Sequence, residues 1–232
     1  MEILYQDNHL IFINKPAGLL SQGDITGHDN VVDALKDFRK KHENKPGEAF
    51  IGLVHRLDRP VSGVMVLAKT SKAAQRLNEA WHGSDVRKIY RAIVPKSADL
   101  PECEWVSWND RLIKDSQTNT VRVLRDDRLT KHSGDVKSAV LRVRRTRTDS
   151  RFSELEIELG TGRGHQIRVQ LSSRGMPILG DRKYGSNQII LDSDNQPRIA
   201  LHAYELSLPH PTRKEIMTVN APLPPGWKFH DR

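Results

Sequence analysis

Two short apolar runs, Ile3-Leu4-Tyr5 and Leu10-Ile11-Phe12-Ile13, flank the polar stretch Gln6-Asp7-Asn8-His9, a pattern that predicts two strands and a turn. Lys15-Pro16-Ala17-Gly18 ends the second strand. After the polar segment Ser21 to Asp29, Asn30 can cap a helix running to about His42, with Val32, Leu35 and Phe38 along one face and Asn44 to Gly47 stopping it. Val64 to Ala68 reads as a buried strand. Ser71 then opens a second helix, in which Ala73, Ala74, Leu77, Ala80 and Trp81 recur at helical spacing and Gly83 ends the run.

Arg87 to Val94 and the segments near 103 to 108, 118 to 124 and 137 to 146 read as strands separated by polar turns. Ser153 to Leu159 alternates, with Leu155, Ile157 and Leu159 on one face and Glu154, Glu156 and Glu158 on the other, which predicts a half-buried antiparallel strand. Thr161-Gly162-Arg163-Gly164 follows as a turn, His165 to Arg174 as a helix closed by Gly175, and Ala200 to Leu208 as a further strand before a proline-rich tail. Ser186 to Pro197, with Asp192, Asp194 and Asn195, reads as a mobile surface loop. Many strands with few interspersed helices indicate an α+β fold, not a doubly wound α/β one. The absence of repeats or low-complexity linkers suits a single domain over 1–232.

Charge narrows the partner. Lys and Arg number 37 against 29 Asp and Glu, a net +8 that favours a polyanion. With aromatics at 6%, long stacking platforms for single strands are not expected, and recognition of structured nucleic acid through shape and phosphates fits better. The single Cys103 excludes an internal disulfide or a cysteine metal cluster and reads as a buried structural thiol. The first residues lack a signal-peptide pattern and no apolar run approaches a membrane span, so the expectation is a soluble cytoplasmic protein.

Three clusters carry candidate chemistry. His55-Arg56-Leu57-Asp58-Arg59-Pro60 sets a carboxylate between two guanidinium groups, which would hold it ionised, as either a catalytic or a structural ion pair does. Thr161 to Arg168 combines glycines with polar side chains at a helix start, suited to phosphate or base contacts; the bland alternative is a glycine-rich turn in which His165 satisfies local backbone groups. Arg142, Arg144, Arg145, Arg147 and Arg151 form an arginine-rich strand that is either a phosphate contact or a charged edge guarding against aggregation. No zinc-binding histidine pattern, serine elbow, phosphate loop or dinucleotide fingerprint occurs, so cofactor-free chemistry is expected.

In order and spacing, these segments resemble the RluA-type RNA pseudouridine synthases over nearly the whole chain. Asn14-Lys15-Pro16-Ala17-Gly18 is similar to the opening motif, and His55-Arg56-Leu57-Asp58 with Ser62-Gly63 to the catalytic one. Lys88-Ile89-Tyr90-Arg91-Ala92 is similar to the Lys-x-Tyr-x-Ala element, and Thr161 to Arg168 with Gly175 to Asp181 and Tyr184-Gly185 to the third motif. Leu201-His202-Ala203, His210-Pro211 and Ala221-Pro222-Leu223-Pro224 match the closing segment. Two positions depart from the pattern: Val61 replaces the usual threonine, and Ser21-Gln22 stand where many members have a histidine.

The resemblance implies a mixed, mainly antiparallel sheet flanked by helices, with a central basic active-site cleft. It implies isomerisation of uridine in tRNA or rRNA without a metal or organic cofactor. Asp58 would attack the nucleotide or remove a sugar proton, Tyr90 would stack on the flipped uracil or act near its sugar, and Arg168 would pair with Asp58. Arg56 would fill the place the base vacates, and His55, Arg163, His165, Gln166 and Leu201 would join it in holding substrate. The chain starts directly with the catalytic segment, so the expectation is that no small S4-like domain precedes it and that target selection falls to the catalytic domain. A monomer with no obligatory protein partner and no membrane attachment is expected. An RNA-binding module with a disabled site is the main rival, and a carboxylate-based nuclease or glycosidase would want a second acid or a metal.

Overall fold

The computed structural model describes residues 1–43, 49–83, 85–96, 100–115, 117–124, 135–191 and 196–227. The predicted helix stop at Asn44 to Gly47 and the loop residues Asp192, Asp194 and Asn195 lie outside the described residues, while the described part of the expected mobile loop pairs β10 (Ile190–Leu191) with β11 (Pro197–Arg198). Packing divides the chain into two compact units, Met1–Lys88 with His202–Pro225 and Ile89–Leu201 with Gly226–Arg232.

In the first unit, β1 (Glu2–Gln6) and β2 (Leu10–Lys15) form the predicted hairpin. Its turn is fixed by Asp7, whose Oδ1 accepts the His9 and Leu10 N–H groups at 2.7 and 2.8 Å. β4 (Ser62–Ala68) lies antiparallel to β2 and is buried along its whole length, which is why it reads as an unbroken apolar run. The short β3 (Gly52–Leu53) pairs with the other edge of β4 near its end. β12 (Leu201–Pro209) runs parallel to β4 through His202↔Ser62 and Ala203↔Gly63, and β13 (Ile216–Asn220) lies antiparallel to β12. Gly63 has φ 121°, and a Cβ there would stand 2.2 Å from the Ala203 carbonyl oxygen, so only glycine permits this approach.

Both predicted helices of this unit form, α1 (Val31–His42) capped by Asn30 and α2 (Ser71–His82) capped by Thr70. The buried face of α1 differs from the expected one: Val31, Leu35 and Arg39 face inward, and Val32 and Phe38 are only half-buried. Arg39 can be buried because its guanidinium meets the Glu43 carboxylate at 3.0 and 2.9 Å and the carbonyls of Phe50 and Lys69.

In the second unit, β5 (Arg87–Pro95) pairs with β9 (Phe152–Leu159), β9 with β8 (Val136–Thr148), β8 with β6 (Val106–Asp115) and β6 with β7 (Thr120–Val123), every pair antiparallel. α3 (Gln166–Ser172) covers one face, where Val169 joins Leu112, Ala139 and Tyr184. The helix is shorter than predicted because His165 has a left-handed backbone, φ 55°, and cannot begin it. Leu171 O and Ser172 O accept the N–H groups of Met176 and Gly175 at its other end. Cys103, expected to be buried, is exposed: it occupies a left-handed turn ahead of β6, φ 60°, with its backbone N–H on Arg145 O.

The other face of this sheet corrects two expectations. β9 is not half-buried, since Glu154 and Glu156 are only 2% and 7% exposed. Opposite charge makes their burial tolerable. Arg91 reaches Glu156 at 2.8 Å from β5, Arg144 reaches it at 2.7 Å from β8, and Trp227 Nε1 donates to Glu154 at 2.8 Å. β8 is correspondingly no charged edge but an interior strand between β9 and β6, and Arg142 and Arg144 are paired with Glu158 and Glu156. The observed fold is α+β and mainly antiparallel, with β12 and β4 paired in parallel. Among the described residues, no helix is long and apolar enough to cross a membrane.

Candidate active site

Asp58 sits half-buried on the loop leading into β4, and the backbone around it is tied at several points. The Asp58 carbonyl accepts from Val61 N–H at 3.0 Å, closing a tight turn over Arg59-Pro60. Ser21 Oγ donates to Leu57 O at 2.7 Å and accepts the Leu57 N–H at 3.1 Å, so both backbone groups of the preceding residue rest on one hydroxyl. Ser21, one of the two departures from the family pattern, is therefore a buried brace of the loop. Val61, the other, has its side chain in the core at 3% exposure, where an aliphatic group needs no partner.

Arg59 joins this loop to the turn after β2. Gly18 N–H donates to Arg59 O at 2.8 Å and Arg59 Nε donates back to Gly18 O at 2.9 Å. Lys15 lies beneath, fully buried, with Nζ on the carbonyls of Pro16, Leu19 and Arg59 at 2.9, 2.8 and 3.3 Å. Burial pulls its ammonium down to about pKa 7, with the Asp58 charge opposing that fall and the Arg59 cation adding to it. Sequence reasoning gave Lys15 no role beyond its motif, because a lysine before a proline reads as a strand end.

His55 begins the same loop, and its Nε2 accepts the Val66 N–H of β4 at 3.0 Å. The imidazole thus supplies an acceptor to β4 just beyond the point where β3 stops pairing with it. Its ring stacks on Trp81 of α2, with centroids 4.4 Å apart and planes at 25°. Burial, reinforced by the Lys88 cation, holds its pKa down at about 3, so the ring is neutral and its proton resides on Nδ1. Arg56, next to it, is exposed.

Tyr90, Arg168, Arg163, His165, Gln166 and Leu201 fall in the second unit, and Asp58, His55 and Arg56 in the first. Tyr90 is half-buried on β5 opposite Ile157, which in turn faces Val143, so it points to the sheet face that α3 covers. Arg168 is buried on α3 and forks onto Asp181, Nε to Oδ2 at 2.7 Å and Nη2 to Oδ1 at 2.9 Å, with its guanidinium 4.9 Å from the Tyr184 ring centre. The Tyr184 hydroxyl accepts from Val121 N–H at 3.1 Å and lies 2.7 Å from His165 Nδ1. Asp181 and Tyr184 are supports that the sequence showed only as motif letters, since nothing in spacing reveals which acid a buried arginine will meet.

The remaining predicted contacts divide by exposure. Arg163 is exposed, with Nε on Ser138 O at 3.0 Å. Gln166 is buried: its Oε1 accepts from Thr161 Oγ1 and Arg163 N–H at 2.8 and 3.1 Å, and its Nε2 donates to Val140 O at 3.0 Å. It moors the glycine turn to β8. Leu201 is a core residue at 3% exposure. His202, beside it, bonds through Nδ1 to Ser62 Oγ at 2.8 Å, linking β12 to the strand that follows the Asp58 loop. Among the described residues, no three His, Cys, Asp or Glu side chains are grouped so as to hold a metal ion.

Residues 9–173 match the model of the RNA pseudouridylate synthase family. An uncharacterized RNA pseudouridine synthase of Synechocystis is 36% identical over 97% of this chain and 66% of its own length. The ribosomal large subunit pseudouridine synthase C of Vibrio cholerae is 31% identical over 95% of the chain and 65% of its own length. The chain thus spans just under two thirds of these two relatives. Among solved structures, human RNA pseudouridylate synthase domain containing 4 superposes with a TM-score of 0.72 at 27% identity, covering 97% of this chain and 90% of that one. With a family match over most of its residues and relatives this similar, the chain belongs to the RNA pseudouridylate synthase family.

Proposed function

We propose that the chain is an RNA pseudouridine synthase that isomerises particular uridines in structured tRNA or rRNA, with Asp58 as its catalytic carboxylate. The observation that carries the reading is the bracing of the Asp58 loop in a chain of this family: Ser21, Gly18 and Lys15 hold its backbone and β4 holds its His55 ring, which fixes the carboxylate for one task. Asp58 attacks the nucleotide or removes a sugar proton, the bond from ribose C1′ to uracil N1 breaks, the base turns, and C1′ bonds to C5. The C5 proton leaves and N1 regains one, so the reaction is an isomerisation that consumes nothing. Ribose and uracil supply the electrophilic centres, and the reaction needs no metal or organic cofactor.

Removing a uridine from its stack costs a few kcal/mol, which contacts to phosphates and the flipped base offset. Arg56, exposed beside Asp58, fills the vacated place; Tyr90 stacks on the flipped uracil; Arg163 and His165 contact the substrate. The family resemblance implies that Arg168 is the partner of Asp58, and its bonds onto Asp181 hold it on α3. His55, Gln166 and Leu201 act by shaping the walls of the site. The two units work as one catalytic domain, in a monomer in the cytoplasm without an obligatory protein partner.

The test compares wild type with Asp58→Asn on unmodified RNA, reading pseudouridine by chemical mapping and affinity on the same preparations. The asparagine keeps the shape and removes the ionised oxygen, so pseudouridine formation should disappear while affinity changes by less than roughly threefold, about 0.6 kcal/mol. Undiminished isomerisation by the mutant would overturn the role of Asp58. A wild type that binds RNA but modifies none would favour a binding module.

A further inference from the structure

Trp81 lies outside every motif that carries the family resemblance, yet its indole stacks on the imidazole that begins the Asp58 loop. We propose that Trp81 is a positioning residue for catalysis: by shielding the His55 ring it keeps Nε2 as an acceptor for Val66 N–H and so anchors the loop that presents Asp58. The proposal rests on the reading of Asp58 as the catalytic carboxylate.

The argument starts from the bond His55 makes. The Val66 N–H, on a strand buried along its whole length, has the imidazole Nε2 as its acceptor at 3.0 Å. That acceptor exists only while Nε2 keeps its lone pair. Protonation would set one N–H against another, removing a hydrogen bond and leaving a backbone donor buried without a partner. The ring would then leave β4, and His55 is three residues from Asp58.

Two features oppose protonation, and both come from residues around Trp81. The indole covers the imidazole in a near-parallel stack, which excludes water from one of its faces. Lys88, whose Nζ lies 5.8 Å from the Trp81 ring centre, is the cation that acts on His55. Burial and Lys88 hold the His55 pKa at about 3, and burial lowers the Lys88 pKa too. Trp81 is half-buried at the end of α2, whose fully buried residues are Ala73 and Leu77.

The test uses Trp81→Leu, which fills space without stacking, and Trp81→Phe, which can stack. For each protein kcat and KM are measured on a uridine-containing hairpin RNA from pH 5.5 to 8.5, with melting temperature and histidine imidazole NMR alongside. At pH 8 Trp81→Leu should be folded and within about threefold of wild-type kcat. As pH falls from 8 to 5.5, its kcat should drop at least twofold relative to wild type with KM nearly constant, and its His55 ring should titrate above pH 5.5. Trp81→Phe should follow wild type in all three readouts. If wild type is active and Trp81→Leu parallels it at every pH, or if both variants lose activity by the same factor at every pH, the positioning role falls and Asp58 keeps its own. If wild type modifies no RNA, the functional reading falls and takes this proposal with it.

Discussion

Arg56 and Lys15 bracket Asp58 with opposite surroundings. Arg56 is exposed and makes no hydrogen bond or ion pair with any described residue, so its removal should leave the fold intact. Arg56→Ala is expected to slow reaction on a structured RNA more than on a flexible single-stranded analogue, because only the first requires help with base flipping. Single-turnover rates on the two substrates check this, and equal losses would place Arg56 in the chemistry instead. Lys15 is fully buried with three carbonyls on its ammonium. Lys15→Met leaves those oxygens without that donor while relieving the burial of a cation, and a net loss of about 2 kcal/mol is expected in urea unfolding, with weakened activity. The exposure of Arg56 and the burial of Lys15 were both illegible in the sequence, where each is simply a basic residue within a motif. Depth in a fold depends on segments far along the chain, such as Arg59 meeting Lys15.

Local periodicity predicted the elements well where one signal acted alone. Asn30 and the capped first turn of α1, the unbroken apolar β4 and the Gly83 stop of α2 are each set by residues within a few positions of one another. It failed where polar groups are buried in pairs. The glutamates of β9 alternate as an exposed face would, but arginines from both neighbouring strands neutralise them, Arg142 and Arg144 from the preceding strand β8 and Arg91 from β5, far back in the chain. Arg91→Ala should therefore destabilise the protein by about 2 kcal/mol, less than the roughly 3 to 5 kcal/mol for breaking a fully buried pair, since Arg91 is partly exposed and Arg144 still holds Glu156. Thermal or denaturant melting of the variant measures it. Because Arg142 and Arg144 each bring a glutamate with them, their share of RNA binding should be smaller than their number suggests.

For the whole molecule, acid stability separates into two windows. His55 has a folded pKa of about 3 against an ordinary value of 6.5, so the unfolded chain binds the extra proton between those values and stability falls as pH falls through 6.5. Asp7 and Glu43 have folded pKa values of about 2. Burial would raise both, but hydrogen bonds outweigh it, from His9, Leu10, His210 and Tyr5 to Asp7 and from Arg39 and Lys69 to Glu43. Their contributions are therefore present above about pH 4.5 and lost below it. Between pH 6.5 and 4.5 the His55 contribution should decline by at most about 1.4 kcal/mol per pH unit. His55→Gln, whose amide oxygen can still accept from Val66 N–H, should flatten stability over that window and leave the steep loss below pH 4.5. Denaturant midpoints at half-unit pH intervals for both proteins provide the check.

The sequence by itself determined the strand and helix order, the α+β class, the family resemblance and the motif that holds Asp58, because periodicity, caps and motif spacing act over short stretches of chain. It also determined that Gly63 follows Ser62, though not why. Only the tertiary structure decided that Gly63 must clear the Ala203 carbonyl, that Arg168 meets Asp181, that Ser21 braces Leu57 and that Trp81 covers His55. Those pairings join residues 13 to 140 positions apart, and hydrogen bonding and burial select them through three-dimensional proximity, which spacing along the chain does not encode.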